Sequence, residues 1–437
     1  MAWSSSGSTL AVLSHDQLSG GYLDFVDWKN ARTVSVGERV SFFGDPALYW
    51  STDDRQLYLG LAGFGQHREK AGMYSLDIAS NTFRRVTSPL FRAAGCTQPV
   101  GKVMACIWQS PTLAPAPAMV ETSSGKASPL VDINPELAGI EPANVREMHW
   151  RNEFGDETSG YLVLPPGSEA ASHRPLVIMA YGFDGEYVAQ ANAHLTSYPA
   201  QEFARRGYAV LLINNTRFKG WVGRSFADGS RAFGYGPLSI VKTVIKQLAT
   251  EGVVDDTRVG FLGHSWGGFW VQFAISNSHL FRAAAVHEGG TSMEPGTYWM
   301  GGSKGSRELQ EQLMGGPPYG EDLKNYEKFS PALNARKVRT PVLMEYNDTS
   351  LSHTIEMYVA WRRANVPLEL VVYPDDGHNY FQPEHRYYSM QRNLDWFEFW
   401  LRDREDPDPA KAEQYARWHK LREQRDAAAA QKTAQMQ

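Results

Sequence analysis

Apolar and polar positions follow two different rhythms along this chain. Up to about residue 140, short apolar runs alternate with clusters of Gly, Ser, Asp and Asn, and no helical period is sustained. Trp3-Ser4-Ser5-Ser6-Gly7-Ser8-Thr9-Leu10-Ala11-Val12-Leu13 reads as a turn followed by a strand. Trp50-Ser51-Thr52-Asp53-Asp54-Arg55-Gln56-Leu57-Tyr58-Leu59-Gly60 repeats it 47 residues later. Residues 73–78 and 82–87 read as paired strands, and a third unit ends around residues 118–131. A repeat of roughly 40–50 residues is the length of a propeller blade. The pattern predicts about three blades over residues 1–140, with an unrelated all-β domain as the alternative. Closed propellers have roughly four to eight blades, so the expectation is a partial β-propeller, a truncated form of a larger one.

From about residue 145 the rhythm changes to strands alternating with helical stretches, as in a mostly parallel sheet with helices on both faces. Residues 160–165, 175–181 and 207–213 read as strands, and 198–206 as a helix. A helix around 240–246 precedes a strand at 257–262, and another strand follows at 280–286. The aromatic stretch 394–400 reads as a last helix packed on the sheet. Residues 403–437 are polar and rich in Ala, Lys, Glu, Gln and Arg, and read as an exposed helix that frays into a disordered tail.

Between the strand at 257–262 and the apolar stretch after it stands Gly263-His264-Ser265-Trp266-Gly267-Gly268. A G-x-S-x-G turn between strand and helix is a nucleophile elbow, which predicts an α/β-hydrolase domain over residues 141–402. Gly263 and Gly267 remove Cβ atoms where the two backbones come close. The elbow also predicts its partners in the order serine, acid, histidine. Asp348 follows the strand-like 340–346, and His378 follows 368–374 and a glycine. Ser265 is therefore the expected nucleophile, His378 the base, and Asp348 the acid that orients the imidazole. Glu345 is the rival acid. His264, His353 and His385 are the rival histidines, His264 reading as a packed neighbour of the elbow. Arg217, His287 and Glu345, near strand ends, are candidates to face the substrate.

Bulk properties narrow the class. A chain of 437 residues exceeds one small domain. Its 42% apolar content is enough to build ordinary globular cores. A net charge of −5 leaves no basic excess for phosphates, which argues against nucleic acid as a partner. No apolar run approaches the roughly 18 residues of a membrane span, and no signal peptide is visible, so the expected setting is cytoplasmic. Cys96 and Cys106 leave a hairpin disulfide and two free thiols equally open, and neither belongs to a zinc pattern. No metal or cofactor is expected, and a homo-oligomer stays open.

These residues resemble the prolyl oligopeptidase family of serine peptidases. The likeness runs over roughly 145–402 and into the blades. It rests on Arg258-Val259-Gly260 leading into the elbow, on Pro341-Val342-Leu343 with Asp348, and on Tyr373-Pro374-Asp375-Asp376-Gly377-His378. The resemblance implies a peptide substrate and an oxyanion bound by the Tyr181 hydroxyl and the Trp266 N–H. Residues 150–161, 382–386, 391–397 and 406–409 look like the lasso-peptide isopeptidase branch, whose members open the bond between a peptide N-terminus and an Asp or Glu side chain. A general oligopeptidase or dipeptidyl-peptidase, an esterase of the same fold, and a non-catalytic binding module are the alternatives.

Overall fold

The computed structural model describes residues 1–16, 20–27, 30, 32–40, 47–61, 72–87, 92–168, 172–180, 199–213, 225–289, 293–300 and 304–436. They form two compact units that divide between Pro142 and Ala143.

The first unit is three antiparallel sheets of four strands each. These are β1 (Ala2–Trp3), β2 (Thr9–Asp16), β3 (Gly20–Asp27) and β4 (Arg32–Val40), then β5 (Ala47–Trp50), β6 (Gln56–Leu61), β7 (Gly72–Asp77) and β8 (Thr82–Arg85). The third sheet is β9 (Arg92–Ala94), β10 (Val103–Ser110), β11 (Leu113–Glu121) and β12 (Ala127–Pro129). Their first strands start 45 residues apart each time, at Ala2, Ala47 and Arg92. The Trp-Ser repeat has a local cause. Ser4 Oγ accepts the Thr9 N–H at 3.1 Å, and Ser51 Oγ accepts the Gln56 N–H at 2.9 Å, so one serine closes each opening turn. Side chains alternate faces along a strand. Leu57 and Leu59 of β6 therefore pack with Ala11 and Leu23 of the first sheet, while Tyr58 packs with Met104 and Val120 of the third. These sheets are the partial propeller. A disulfide joins Cys96 to Cys106 of β10, which closes the question the two thiols left open.

The second unit is built on an eight-stranded sheet of order β13-β14-β16-β15-β17-β18-β19-β20. Its strands are β13 (Asn144–Arg151), β14 (Glu157–Leu164), β15 (Arg174–Ala180), β16 (Ala209–Ile213), β17 (Val254–His264), β18 (Ala283–His287), β19 (Val342–Asn347) and β20 (Leu368–Tyr373). β13 and β14 pair antiparallel, and the pairs from β16 to β20 are parallel. Strands buried on both faces read as continuous apolar runs, which is why β15 and β16 stand out in the sequence.

The helices are α1 (Ala200–Arg205), α2 (Phe226–Ser230), α3 (Gly236–Thr250), α4 (Trp266–Asn277), α5 (Pro295–Trp299), α6 (Lys304–Met314), α7 (Leu323–Phe329), α8 (Leu351–Arg363), α9 (Pro383–Arg402) and α10 (Ala412–Met436). Val259 and Phe261 of β17 join the core that holds Phe269 of α4. Gly260, on the opposite face, meets α9: a Cβ there would lie 2.5 Å from the Phe397 ring. The elbow strand is thus clamped from both sides.

The tail departs from expectation. The first half of α10 docks on α9 rather than standing free. Trp418 is 0% exposed, 5.1 Å from the Trp396 ring, and its indole N–H donates to Glu369 of β20. Lys411 pairs with Asp395 at 2.8 Å, and the Arg422 guanidinium lies 3.8 Å from the centre of the Phe399 ring. Tyr415 and Trp418, three residues apart, share one helix face. That short apolar stripe is easily lost in a polar segment.

Candidate active site

β17 ends at His264 and α4 begins at Trp266, which leaves Ser265 alone at the turn. Its φ of 55° and ψ of −122° are sparsely populated for a residue with a Cβ. Such a residue carries about 1–3 kcal/mol of strain and persists only where its surroundings over-determine it. Here the Ser265 N–H donates to the His287 carbonyl at 3.0 Å, and the Phe269 N–H donates to the Ser265 carbonyl at 3.2 Å. A Cβ on Gly263 would collide with the Gly267 carbonyl, and one on Gly268 would sit 2.6 Å from Gly289 Cα. Only glycines let strand, turn and helix close this tightly. Trp266 opens α4, so its N–H has no acceptor within the helix, and its ring packs 4.9 Å from Phe233.

His378 lies on the loop between β20 and α9, with 54% of its side chain exposed. Two neighbours hold that loop. Asp376 accepts the Gly377 N–H at 2.9 Å and the Phe381 N–H at 2.8 Å, and it pairs with His385 Nδ1 at 2.9 Å. His385 is therefore a loop anchor. His264 Nε2 lies 2.8 Å from the His378 carbonyl, with the two rings 4.6 Å apart. A carbonyl only accepts, so this nitrogen carries the proton. Burial, and next the nearby His378, push the His264 pKa down to about 3, so the ring is neutral. The residue beside Ser265 thus fastens the loop of His378. His353 lies exposed on α8.

Asp348 is exposed on the turn after β19, and among the described residues it makes no hydrogen bond or ion pair with His378. The carboxylate that faces His378 Nδ1 is Glu288, with Oε2 at 3.6 Å. Glu288 is 2% exposed, the first residue past β18, and was missed from the sequence. The signal was available, since a carboxylate just past a strand end is the same criterion that selected Asp348.

Glu345 and His287, expected to face the substrate, are both buried in this structure. Glu345 is 1% exposed, accepting the Tyr373 hydroxyl at 2.9 Å and the Asn393 amide at 2.6 Å. Burial raises its pKa to about 7 against those hydrogen bonds. His287 is 2% exposed, packed on His264 at 4.9 Å and on Tyr380 at 4.2 Å, and burial holds it well below its ordinary pKa. The two are register partners on β18 and β19. Tyr181 and Arg217 lie outside the described residues. Among the described residues, no cluster of His, Cys, Asp or Glu is arranged to hold a metal, and no helix is long and apolar enough to cross a membrane.

Residues 194–404, which contain Ser265, Asp348 and His378, match the prolyl oligopeptidase family. This stretch belongs to that family. Over 313 residues the chain is 33% identical to the lasso peptide isopeptidase AtxE2 of Asticcacaulis excentricus, covering 69% of this chain and 44% of the relative. It is 22% identical over 373 residues to a dipeptidyl-peptidase 5 of Aspergillus fumigatus, covering 80% and 49%. The chain thus spans about half the length of the curated relatives it matches. Among solved structures, AtxE2 with Astexin3-dC4 bound superposes with a TM-score of 0.76 at 26% identity, covering 96% of this chain and 65% of that one. A puromycin-hydrolyzing peptidase of Mycobacterium tuberculosis gives 0.69 at 17% identity, covering 92% and 61%, a likeness of fold. These neighbours are of prolyl oligopeptidase type, and this chain shares their fold, with an eight-stranded mixed sheet and helices following small antiparallel sheets.

Proposed function

We propose that this chain hydrolyses peptide amide bonds through an acyl-enzyme on Ser265, and that its preferred bond is the isopeptide bond of a lasso peptide. The observation that carries the chemistry is Ser265 held at a positive φ between β17 and α4, with the loop of His378 fastened to the adjoining His264. The 33% identity to an isopeptidase supports the substrate class.

Ser265 Oγ attacks the carbonyl carbon while His378 Nε2 takes its proton. The oxyanion is held by the Trp266 N–H and, on the resemblance, the Tyr181 hydroxyl. The C–N bond breaks, and the leaving amine takes the proton from His378. Water then attacks the acyl-enzyme by the same route and frees a carboxylic acid. Isopeptide and main-chain amides pass through the same oxyanion, so choice between them lies in how the ring around the bond is gripped. Chain order nominates Asp348 as the acid, and Arg217 as a contact for a substrate carboxylate. The Cys96–Cys106 disulfide favours an oxidising compartment over the cytoplasmic setting expected from the sequence.

The test is to incubate the protein with a lasso peptide and with its unthreaded linear form, then weigh the products. The lasso form gaining the mass of one water, with the linear form intact, is the expected result. Main-chain fragments of the linear form beside an untouched lasso would instead favour a general oligopeptidase, the reading closer to the dipeptidyl-peptidase relatives. Cleavage of short p-nitrophenyl esters alone would mean an esterase. Folded protein in which a fluorophosphonate fails to label Ser265 would mean a binding module.

A further inference from the structure

We infer that Glu288 is the carboxylate that orients His378 and stabilises its cation during turnover. This rests on Ser265 and His378 being nucleophile and base. It assigns to the end of β18 the role that chain order gives to the end of β19.

Four observations converge. First, β18 lies beside the elbow strand, and His264 is the register partner of His287. One step further along, Ser265 and Glu288 stand level at the same edge of the sheet. Second, Glu288 has φ 49°, a left-handed conformation unusual for a glutamate. Strain of this kind concentrates where surrounding structure imposes it, typically at functional sites. Third, its carboxylate is divided in function. Oε1 accepts the Asn347 N–H, which fixes the group across the end of β19. Among the described residues, Oε2 is buried with no hydrogen-bond partner, 3.6 Å from His378 Nδ1. A buried carboxylate oxygen with no donor is costly. An imidazole Nδ1–H is a donor that would satisfy it, and catalytic hydrogen bonds loose in a free enzyme tighten when substrate binds. Fourth, Asp348 is exposed to water, where a charge acts on a neighbour far more weakly than from a dry site.

The chemistry follows from this placement. With its Nδ1–H directed at Glu288, the imidazole presents a bare Nε2 to Ser265. When that nitrogen takes the Oγ proton, the ring becomes a cation beside a desolvated anion. The proton passes from Ser265 to His378 to the leaving amine. Among the described residues, the titratable groups around the pair include His264 and His287, both held neutral, the Tyr346 and Tyr380 hydroxyls, and Glu345 and Asp376.

The experiment measures kcat/KM against pH for wild type, Glu288→Gln, Glu288→Asp, Asp348→Asn and Ser265→Ala, with far-UV circular dichroism and a melting temperature for each. Gln keeps the shape and the acceptor for Asn347 but removes the charge. The expected loss is 10²-fold or more, up to the ~10⁴ seen when a triad acid becomes its amide. The acid limb should also move to lower pH, since an imidazolium without its anion is disfavoured. A purely structural glutamate would lower the melting temperature and leave the limb in place. Glu288→Asp, which keeps the charge, should hold the limb near that of wild type and restore part of the rate. It also serves if the Gln variant does not fold, because a folded Asp variant with a displaced limb overturns the inference. Wild-type rate and limb in Glu288→Gln, beside a crippled Asp348→Asn, overturn it too. A dead Ser265→Ala in that same experiment shows that the underlying reading survives, whereas full turnover by Ser265→Ala removes both.

Discussion

His264 Nε2 donates to the backbone carbonyl of His378 across 2.8 Å, so the residue preceding Ser265 also fastens the loop that carries His378. Replacing His264 by Phe keeps a ring in the buried site and removes only this bond. We expect kcat to fall about tenfold to a hundredfold, the scale of a misplacement near 1 Å, while Tm moves by a few degrees. Steady-state kinetics and a melting curve on the same preparation check it. A kcat within twofold of wild type would show that Asp376 and His385 suffice to place the loop.

Strain at Ser265 predicts an opposition between stability and activity. Both Ser265→Ala and Ser265→Gly should abolish turnover, and His378→Ala added to either should cost little more, because these residues act as a unit. The two serine variants should differ in stability. Glycine accepts a φ of 55° freely and alanine does not. The glycine variant should therefore be the more stable by about 1 kcal/mol, read from urea midpoints at equal m-values.

Glu345 makes stability depend on pH. Its folded pKa is raised to about 7 from 4.5 by burial. Between those values the folded state holds more proton than the unfolded one, so stability falls as pH rises through the window. It is greatest below about 4.5 and lowest above about 7. The full difference is on the order of 3 kcal/mol. Glu345→Gln should flatten this part of the profile, as followed by urea unfolding at a series of pH values. A slope unchanged by the substitution would move the cause elsewhere, with Glu294, raised to about 8 by burial, the next group to examine.

Docking of α10 predicts that Trp418→Ala destabilises the second unit by about 3–5 kcal/mol, the usual cost of removing a buried tryptophan. Ending the chain before Ala412 should do at least as much. Differential scanning calorimetry of the second unit's transition tests both. A variant melting like wild type would mean that α10 contributes no core.

Some of this was legible in the sequence for reasons the structure makes plain. The glycines of the elbow are required by backbone collisions, so they mark the turn without ambiguity. Strands such as β15 and β16 are apolar throughout because helices cover both faces. The blade repeat shows because Ser4 and Ser51 must each close a turn. Other features were hidden. His287 ends β18 and Glu345 lies near the end of β19, and their burial is set by neighbouring strands and loops rather than by their own position in the sequence. Glu288 was obscured in the opposite way, since a glutamate before two glycines looks like a surface turn. Its backbone conformation and its bond to Asn347 are properties of three strands together. The tail was misread because two aromatic side chains, Tyr415 and Trp418, anchor the first half of a helix whose composition is mostly polar.

The parallel pairing of β17, β18 and β19 also limits how this chain can change. Neighbouring strands are held to one another in a single register: His264 opposite His287, and His287 opposite Glu345. Gain or loss of one amino acid inside any of these strands would turn every later side chain to the other face. Ser265, or Glu288 beside His378, would then leave its present face of the sheet. Length variation should therefore be tolerated only in the segments joining the strands, and descendants of this protein should diverge by substitution within the strands and by insertion between them.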